Sequence, residues 1–184
     1  MGLVTSLAQP GGNATGFNFF ANEIDAKRLG LMHEVLPKAK RFAVLVNPAN
    51  AVSAENTSNA LREAARDLAL EIVFFKASTP AEIDAAFMSF AQERADALFI
   101  APDGFYTSRG VQFATLAVCD RLPGSCFAET VEAGVLMNYS TSLADMFRQV
   151  GIYTGSVLKG IKPADLPVLQ ATKFEFVINL QTAL

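Results

Sequence analysis

RFAVLVNPANAVS, residues Arg41–Ser53, contains five consecutive apolar residues, Phe42 to Val46, with no polar alternation. Such a run reads as a strand covered on both faces, the usual state of a parallel strand beneath helices. The carboxyl end turns polar at once, through Asn47, Pro48 and Asn50, and Ser53 stands ahead of a helical pattern. The same grammar recurs at Ala97-Leu98-Phe99-Ile100-Ala101, followed by Pro102-Asp103-Gly104, with Thr107 opening a helix. In open α/β sheets, ligands lie beyond the carboxyl ends of strands, where the strand order switches direction.

Outward from these two runs, strand and helix patterns alternate. Residues 2–9 read as a helix end broken by Pro10-Gly11-Gly12-Asn13, and 15–20 as extended. Asn22 is placed as an N-cap, with Asp25 at the third helical position, for a helix that Pro37 ends; its His33 is given no role. Leu61, Ala64, Ala65 and Leu68 share one helical face over 54–68, and EIVFFK (Glu71–Lys76) is a strand. Thr79-Pro80-Ala81-Glu82 combines a capping box with proline at the first helical position. The helix that follows places Ile83, Ala86, Phe87 and Phe90 on one side, most simply as core. A helix is expected over about 107–121, an apolar stretch near Cys126–Ala128 and a strand at Gly134–Tyr139.

Ser142 and Asp145 open a helix lined by Leu143, Met146, Phe147, Val150, Tyr153 and Val157, which ends at Lys159-Gly160 ahead of Pro163. A proline-marked linker leads to a last strand, Lys173–Ile178. The fold class is therefore α/β, a three-layer αβα parallel sheet with right-handed crossovers. The 42–46 and 97–101 strands are expected side by side with their helices on opposite faces. That arrangement brings Asn47, Asn50 and Ser53 near Asp103 and Thr107.

Composition narrows the function classes. Half of the 184 residues are hydrophobic (51%) and 18% are charged, so a sizeable core is expected. Fifteen basic against eighteen acidic residues, with no basic run, argue against a nucleic-acid surface. Cys119 and Cys126 fit neither a disulfide scaffold nor a zinc spacing, and with a single His33 no metal site is expected. No apolar run approaches the roughly 20 residues that cross a bilayer, and the N-terminal stretch does not read as a signal peptide. There is no G-x-S-x-G elbow, P-loop or G-x-G-x-x-G, and no catalytic residue or cofactor is assigned.

What remains is a set of polar groups suited to binding. Asn47 and Asn50 supply amides, and Ser53 and Thr107 supply hydroxyls. Helix N-termini behind them favour a carboxylate. Asp103 would pair with an ammonium group, and Phe105 or Tyr106 would stack on an apolar side chain. Asn-Pro, Asp-Gly, Ser and Thr are also ordinary turn and cap residues. Their joint placement at a switch point is what points to a site, one suited to a small zwitterion such as an amino acid.

Several segments, LVTSLAQPGGNATGFNF, AVLVNPAN, ADALFIAPD, RLPGSCFAETVEAGVLMNYSTSLADMFRQ and VLKGIKPADLPVLQATKFEFVINLQTA, resemble the substrate-binding family of ABC transporters, with a type I periplasmic-binding fold. The resemblance covers essentially the whole chain. It implies a solute-binding component of an import system that binds a small solute between two α/β lobes joined by crossing strands, without catalysis. On this reading residues 1–17 are a remnant of the first lobe and hinge, 18–137 form the second lobe, and 138–184 contain the hinge, a long first-lobe helix and a returning strand. The resemblance also implies an upstream lobe and export signal, an extracytoplasmic location for the full-length parent, and an ABC permease as partner. By motif, Asn47–Ser53, Asp103–Thr107 and the segment around Tyr139 face the ligand; Tyr139 is followed here by Ser140-Thr141, a departure from the family's tyrosine-glycine pair. The apolar face of the 143–158 helix is expected either to pack on its own lobe or to form a homodimer. The alternatives are the effector domain of a transcription regulator and a small α/β enzyme using Asp103 or Cys126.

Overall fold

Phe42–Val46 forms a completely buried strand, and the sheet is built around it. A computed structural model of the protein describes residues 3–18 and 21–183, with 21 and 22 described by backbone alone. In chain order the elements are β1 (Phe17–Asn18), α1 (Ala21–Val35), β2 (Arg41–Val46), α2 (Ala51–Asp67), β3 (Glu71–Lys76), α3 (Pro80–Gln92), β4 (Ala97–Ile100), α4 (Gly104–Thr107) and α5 (Gly110–Cys119). They continue as β5 (Gly124–Ser125), α6 (Ala128–Glu132), β6 (Met137–Thr141), α7 (Leu143–Leu158), a 3₁₀ turn at Pro163–Asp165, β7 (Leu169–Gln170) and β8 (Phe174–Ile178).

The chain divides into two compact units. The larger comprises residues 21–140 and 176–184, the smaller residues 1–20 and 141–175, so the chain passes from one to the other at three places. The long helix falls in the smaller unit, and the chain from Phe176 returns to the larger.

The larger unit carries the main sheet, of order β3-β2-β4-β5-β6-β8. β2 pairs in parallel with β3 and with β4, placing Val44 between Phe74 and Phe99. Side chains alternate across the pleat. Phe42, Val44, Ala97 and Phe99 meet Leu29 and Met32 of α1 and Leu61 and Ala65 of α2. Ala43, Leu45, Leu98 and Ile100 face the other way, onto Ile83, Phe87 and Phe90 of α3 and Phe113 of α5. The helices that follow β2 and β4 thus cover opposite faces, as the switch-point reading requires.

Local signals hold at several helix ends and shift at others. The Thr79 hydroxyl accepts from the Glu82 N–H at 3.2 Å, but the Glu82 carboxylate reaches the N–H of Ser78, one residue earlier than the box predicts. Ser142 accepts from the N–H of Asp145, and Gly160 follows α7 at φ +98°, a conformation glycine adopts without strain. α2 begins at Ala51, so Ser53 lies inside its first turn rather than ahead of it. The helix expected from Thr107 is two helices, α4 and α5, and Asp103, not Thr107, caps the first. Residues 3–9 form bends and turns rather than a helix end, with the Thr5 N–H donating to the Pro10 carbonyl. α1 already includes Asn22, whose side chain lies outside the described residues, as do residues 19–20 of the expected extended stretch. β5 is shorter and earlier than the apolar stretch near Cys126, and β7 was not anticipated.

In the smaller unit β1 and β7 pair in parallel, Phe17 opposite Leu169, and α7 lies alongside. Asp145 in the first turn of α7 bonds Arg148 at 2.9 Å and Lys173 at 3.0 Å. Of the α7 residues only Met146 is buried, while Leu143, Phe147, Val150, Ile152 and Leu158 are exposed, Phe147 at 67% and Leu158 at 82%. The helix therefore does not bury its apolar face on its own unit, as one of the two expectations had it.

Tyr106 corrects a site expectation. It is 0% exposed, packed edge-on against Phe113, and its hydroxyl donates to the Ala77 carbonyl at 2.7 Å. Burial, and then the nearby Asp103 carboxylate, push its phenol well above the ordinary value. It belongs to the core and presents no face to a ligand.

Two predictions follow from these contacts. Tyr106→Phe leaves the buried Ala77 carbonyl unpaired and should cost about 1–2 kcal/mol in urea unfolding while leaving solute affinity unchanged. Asp96, exposed at the amino end of β4, accepts the N–H groups of Arg41 (2.9 Å) and Lys40 (2.8 Å), which hold its carboxyl below the ordinary 3.8. A depressed folded-state value gives stability that is present above the unfolded value and lost as pH falls through the folded one. The stability difference between the protein and Asp96→Asn should therefore be largest near neutrality and close as acid is added, read from urea midpoints across an acid titration.

Candidate functional site

The two central strands end in turns that are tied to each other. Asn47, at the end of β2, is nearly buried; its side-chain Nδ2 donates to Asp103 Oδ1 at 2.8 Å, across 56 positions of sequence. Its Oδ1 in turn accepts the Ala49 N–H at 3.0 Å, an Asx-type turn that sets the Pro48-Ala49 bend. Asn50 Nδ2 donates to Asp103 Oδ2 at 3.2 Å. The Asp103 carboxylate also accepts the Phe105 N–H at 2.9 Å, as the cap of α4. Asp103 thus serves at once as a helix cap and as the acceptor for two asparagine amides.

This arrangement leaves the N-terminus of α2 uncapped by a side chain. Asn50 occupies the N-cap position but makes no side-chain cap bond, because its amide is turned to Asp103. No acidic residue stands in the first turn of α2. Unpaired first-turn N–H groups and the helix dipole favour an anion there, at the helix end whose Asn50 holds the Asp103 carboxylate. The site therefore presents opposite preferences side by side.

Of the sequence-predicted residues, Asn47, Asn50 and Asp103 are drawn into one hydrogen-bonded cluster. Ser53 is half-buried in the first turn of α2. The half-buried Phe105 carries the Arg109 guanidinium 5.5 Å from its ring centroid. The Thr107 hydroxyl donates to the Asp103 backbone carbonyl at 3.1 Å, so it steadies α4. Tyr106 is withdrawn into the core, as described above. Tyr139 is half-buried and packs against the apolar cluster between the sheet and α1/α2; beside it Asn138 is buried, donating to Ser140 Oγ at 2.9 Å. No group of three or more His, Cys, Asp or Glu residues suited to a metal occurs among the described residues. Cys126 is buried, and burial pushes its thiol up to about 12, which removes it as a nucleophile at neutral pH.

A second polar cluster was not foreseen. Asp25 on α1 accepts from Thr57 Oγ1 on α2 at 2.8 Å, and Arg28 reaches both Asp25 at 3.4 Å and the Ile100 carbonyl at 2.9 Å. All three side chains are at most 3% exposed. Burial raises the Asp25 carboxyl against the pull of Arg28 and Thr57, and lowers Arg28 against the pull of Asp25. From sequence alone Asp25 reads as the third residue of a helix that Asn22 caps. An Asp and an Arg three apart on a helix look like a solvated surface pair, and only the packing of α1 on β4 and α2 buries them.

The comparisons with known proteins agree with this architecture. The chain is 29% identical over 182 residues to a protein named tyrosine-binding protein from Clostridioides difficile, matching 98% of this chain and 52% of the relative. A conserved domain protein from Vibrio cholerae has the same fold at a TM-score of 0.84 and 27% identity, over 98% of this chain and 60% of that one. An ABC domain from Streptococcus pneumoniae, solved in complex with L-Trp, superposes at 0.79 with 24% identity, over 98% and 62%. The chain thus spans a little over half the length of these relatives. The fold is that of the type I periplasmic binding proteins. These relatives lend no support to a homodimer through α7. The family model described as ABC transporter substrate binding protein matches residues 1–184, and the chain belongs to that family, one of substrate-binding proteins rather than catalysts.

Proposed function

We propose that this chain is the solute-binding part of an ABC import system and that its solute is an amino acid. The observation that carries the reading is the Asp103 carboxylate, fixed by Asn47 and Asn50 beside the uncapped first turn of α2. An α-ammonium group meets Asp103, and an α-carboxylate meets the first-turn N–H groups and Ser53 of α2. The half-buried ring of Phe105 lies next to Asp103 in sequence and offers an apolar surface for the side chain. The name of the Clostridioides difficile relative supports an amino acid, and an aromatic one such as tyrosine is the first to try.

In this reading the larger unit is one lobe, the smaller unit belongs with a further lobe, and the three crossings of the chain are the hinge. The exposed apolar face of α7, with the groove formed by Phe17, Val150, Tyr153, Val157 and Leu169, would then be covered by that further lobe rather than by a second copy. Capture is by closure of two lobes with no covalent step. The partner is an ABC permease, and the place of work is outside the cytoplasmic membrane. No helix among the described residues is long and apolar enough to cross a membrane.

Titration calorimetry with L-tyrosine, tyramine and 3-(4-hydroxyphenyl)propionate tests the reading directly. L-tyrosine should bind, and the two analogues, each lacking one of the α-charges, should bind far more weakly. Asp103→Ala should weaken L-tyrosine at least about 30-fold, the equivalent of about 2 kcal/mol for a lost charge partner. Tyramine binding as well as L-tyrosine would remove the carboxylate from the account. Absence of heat with every amino acid, together with binding of a neutral sugar, would overturn it.

A further inference from the structure

The Asp25–Arg28–Thr57 cluster touches none of the groups placed on the ligand, yet it joins the two pieces of chain that carry them. Thr57 lies four residues beyond Ser53, one turn further along the same face of α2, and its hydroxyl is held by Asp25 at 2.8 Å. Arg28 stands one turn after Asp25 on α1 and donates to the Ile100 carbonyl, three residues before Asp103. That carbonyl lies where the sheet runs out: β5 ends at Ser125, opposite Phe99, and the guanidinium takes the place that the next strand residue would fill. The same guanidinium lies over the Phe99 ring, its Cζ 4.0 Å from the centroid.

The cluster is not built for its own comfort. Arg28 Nε and the neighbouring Ser125 Oγ are buried without a hydrogen-bond partner. A buried ion pair is often matched or bettered in stability by apolar residues of the same volume, so packing alone does not call for one here. Its geometry does have a use. Its links run from Thr57 on α2 to the Ile100 carbonyl at the end of β4, and so join the segments that carry Asn50 and Asp103.

We propose that Arg28 is a positioning residue for the ligand site, acting through Asp25 and Thr57 on one side and the Ile100 carbonyl on the other. The proposal rests on the reading of Asp103 as a ligand contact, but its first test does not. In ¹H–¹⁵N spectra of the whole chain, the side-chain amide signals of Asn47 and Asn50 report their bonds to Asp103 without any ligand. Arg28→Met keeps the length and apolar stem and removes the donor; Arg28→Lys restores a donor; Thr57→Val cuts the opposite link at nearly constant volume.

Arg28→Met is expected to melt cooperatively, to shift or broaden both asparagine amide signals, and to weaken L-tyrosine by about tenfold. Arg28→Lys should recover part of each change, and Thr57→Val should move the amide signals in the same direction. Wild-type amide signals in Arg28→Met would overturn the proposal, because the residue would then be packing only. So would displaced signals with undiminished affinity for L-tyrosine. Loss of a cooperative melt in both Arg28→Met and Thr57→Val would also overturn it, by making the cluster a requirement of folding. Were the unaltered protein not to bind L-tyrosine, the proposed solute would fail while the amide signals still decided the positioning role.

Discussion

The parallel pairing of Phe42–Leu45 with Ala97–Ile100 is the constraint on which the larger unit depends. Both strands are covered on both faces, so every side chain is committed to one of two apolar layers and neither strand can slip register by one residue. Once the register is set, the two strands end level with each other. Asn47 and Asp103 follow at once, close enough to bond although they are 56 positions apart.

Polar groups at the ends of buried strands have to be satisfied, because an unpaired buried amide or carboxylate is costly. This protein meets that requirement by joining the turns to each other instead of to solvent. Asn47 closes its own turn with one end of its amide and bonds Asp103 with the other. Asn50 gives up capping α2 to do the same. One consequence is a carboxylate of fixed orientation beside an open helix N-terminus. In the proposed reading, these are the two groups that meet the solute.

The smaller unit follows a different logic. Its two-stranded parallel sheet is small for an arrangement that normally has both faces covered, and α7 leaves large apolar side chains in water. Among the described residues the larger unit's exposed large apolar side chains, Val52, Met88, Val111, Val118, Phe176 and Leu180, are scattered over several elements. Exposure is concentrated in the unit that the family reading assigns to a further lobe.

The sequence alone determined the alternation of strands and helices, the adjacency of the two central strands and the nearness of Asn47 and Asn50 to Asp103; that they bond to one another was decided by the fold. Each rests on a local pattern: an unbroken apolar run can only be a buried strand in this setting, and a polar turn must follow where burial ends. Motif resemblance reached the family for the same reason, since turn residues such as those of PGGN and NPAN are dictated by the backbone they bend. Only the tertiary structure decided that Tyr106 faces inward, that Asp103 rather than Thr107 caps the helix after β4, and that Asp25, Arg28 and Thr57 are buried together. The direction of an aromatic ring on a four-residue helix, and the fate of a charged pair on a helix face, depend on which neighbour arrives to cover them. That neighbour comes from a distant part of the chain, and no local pattern names it.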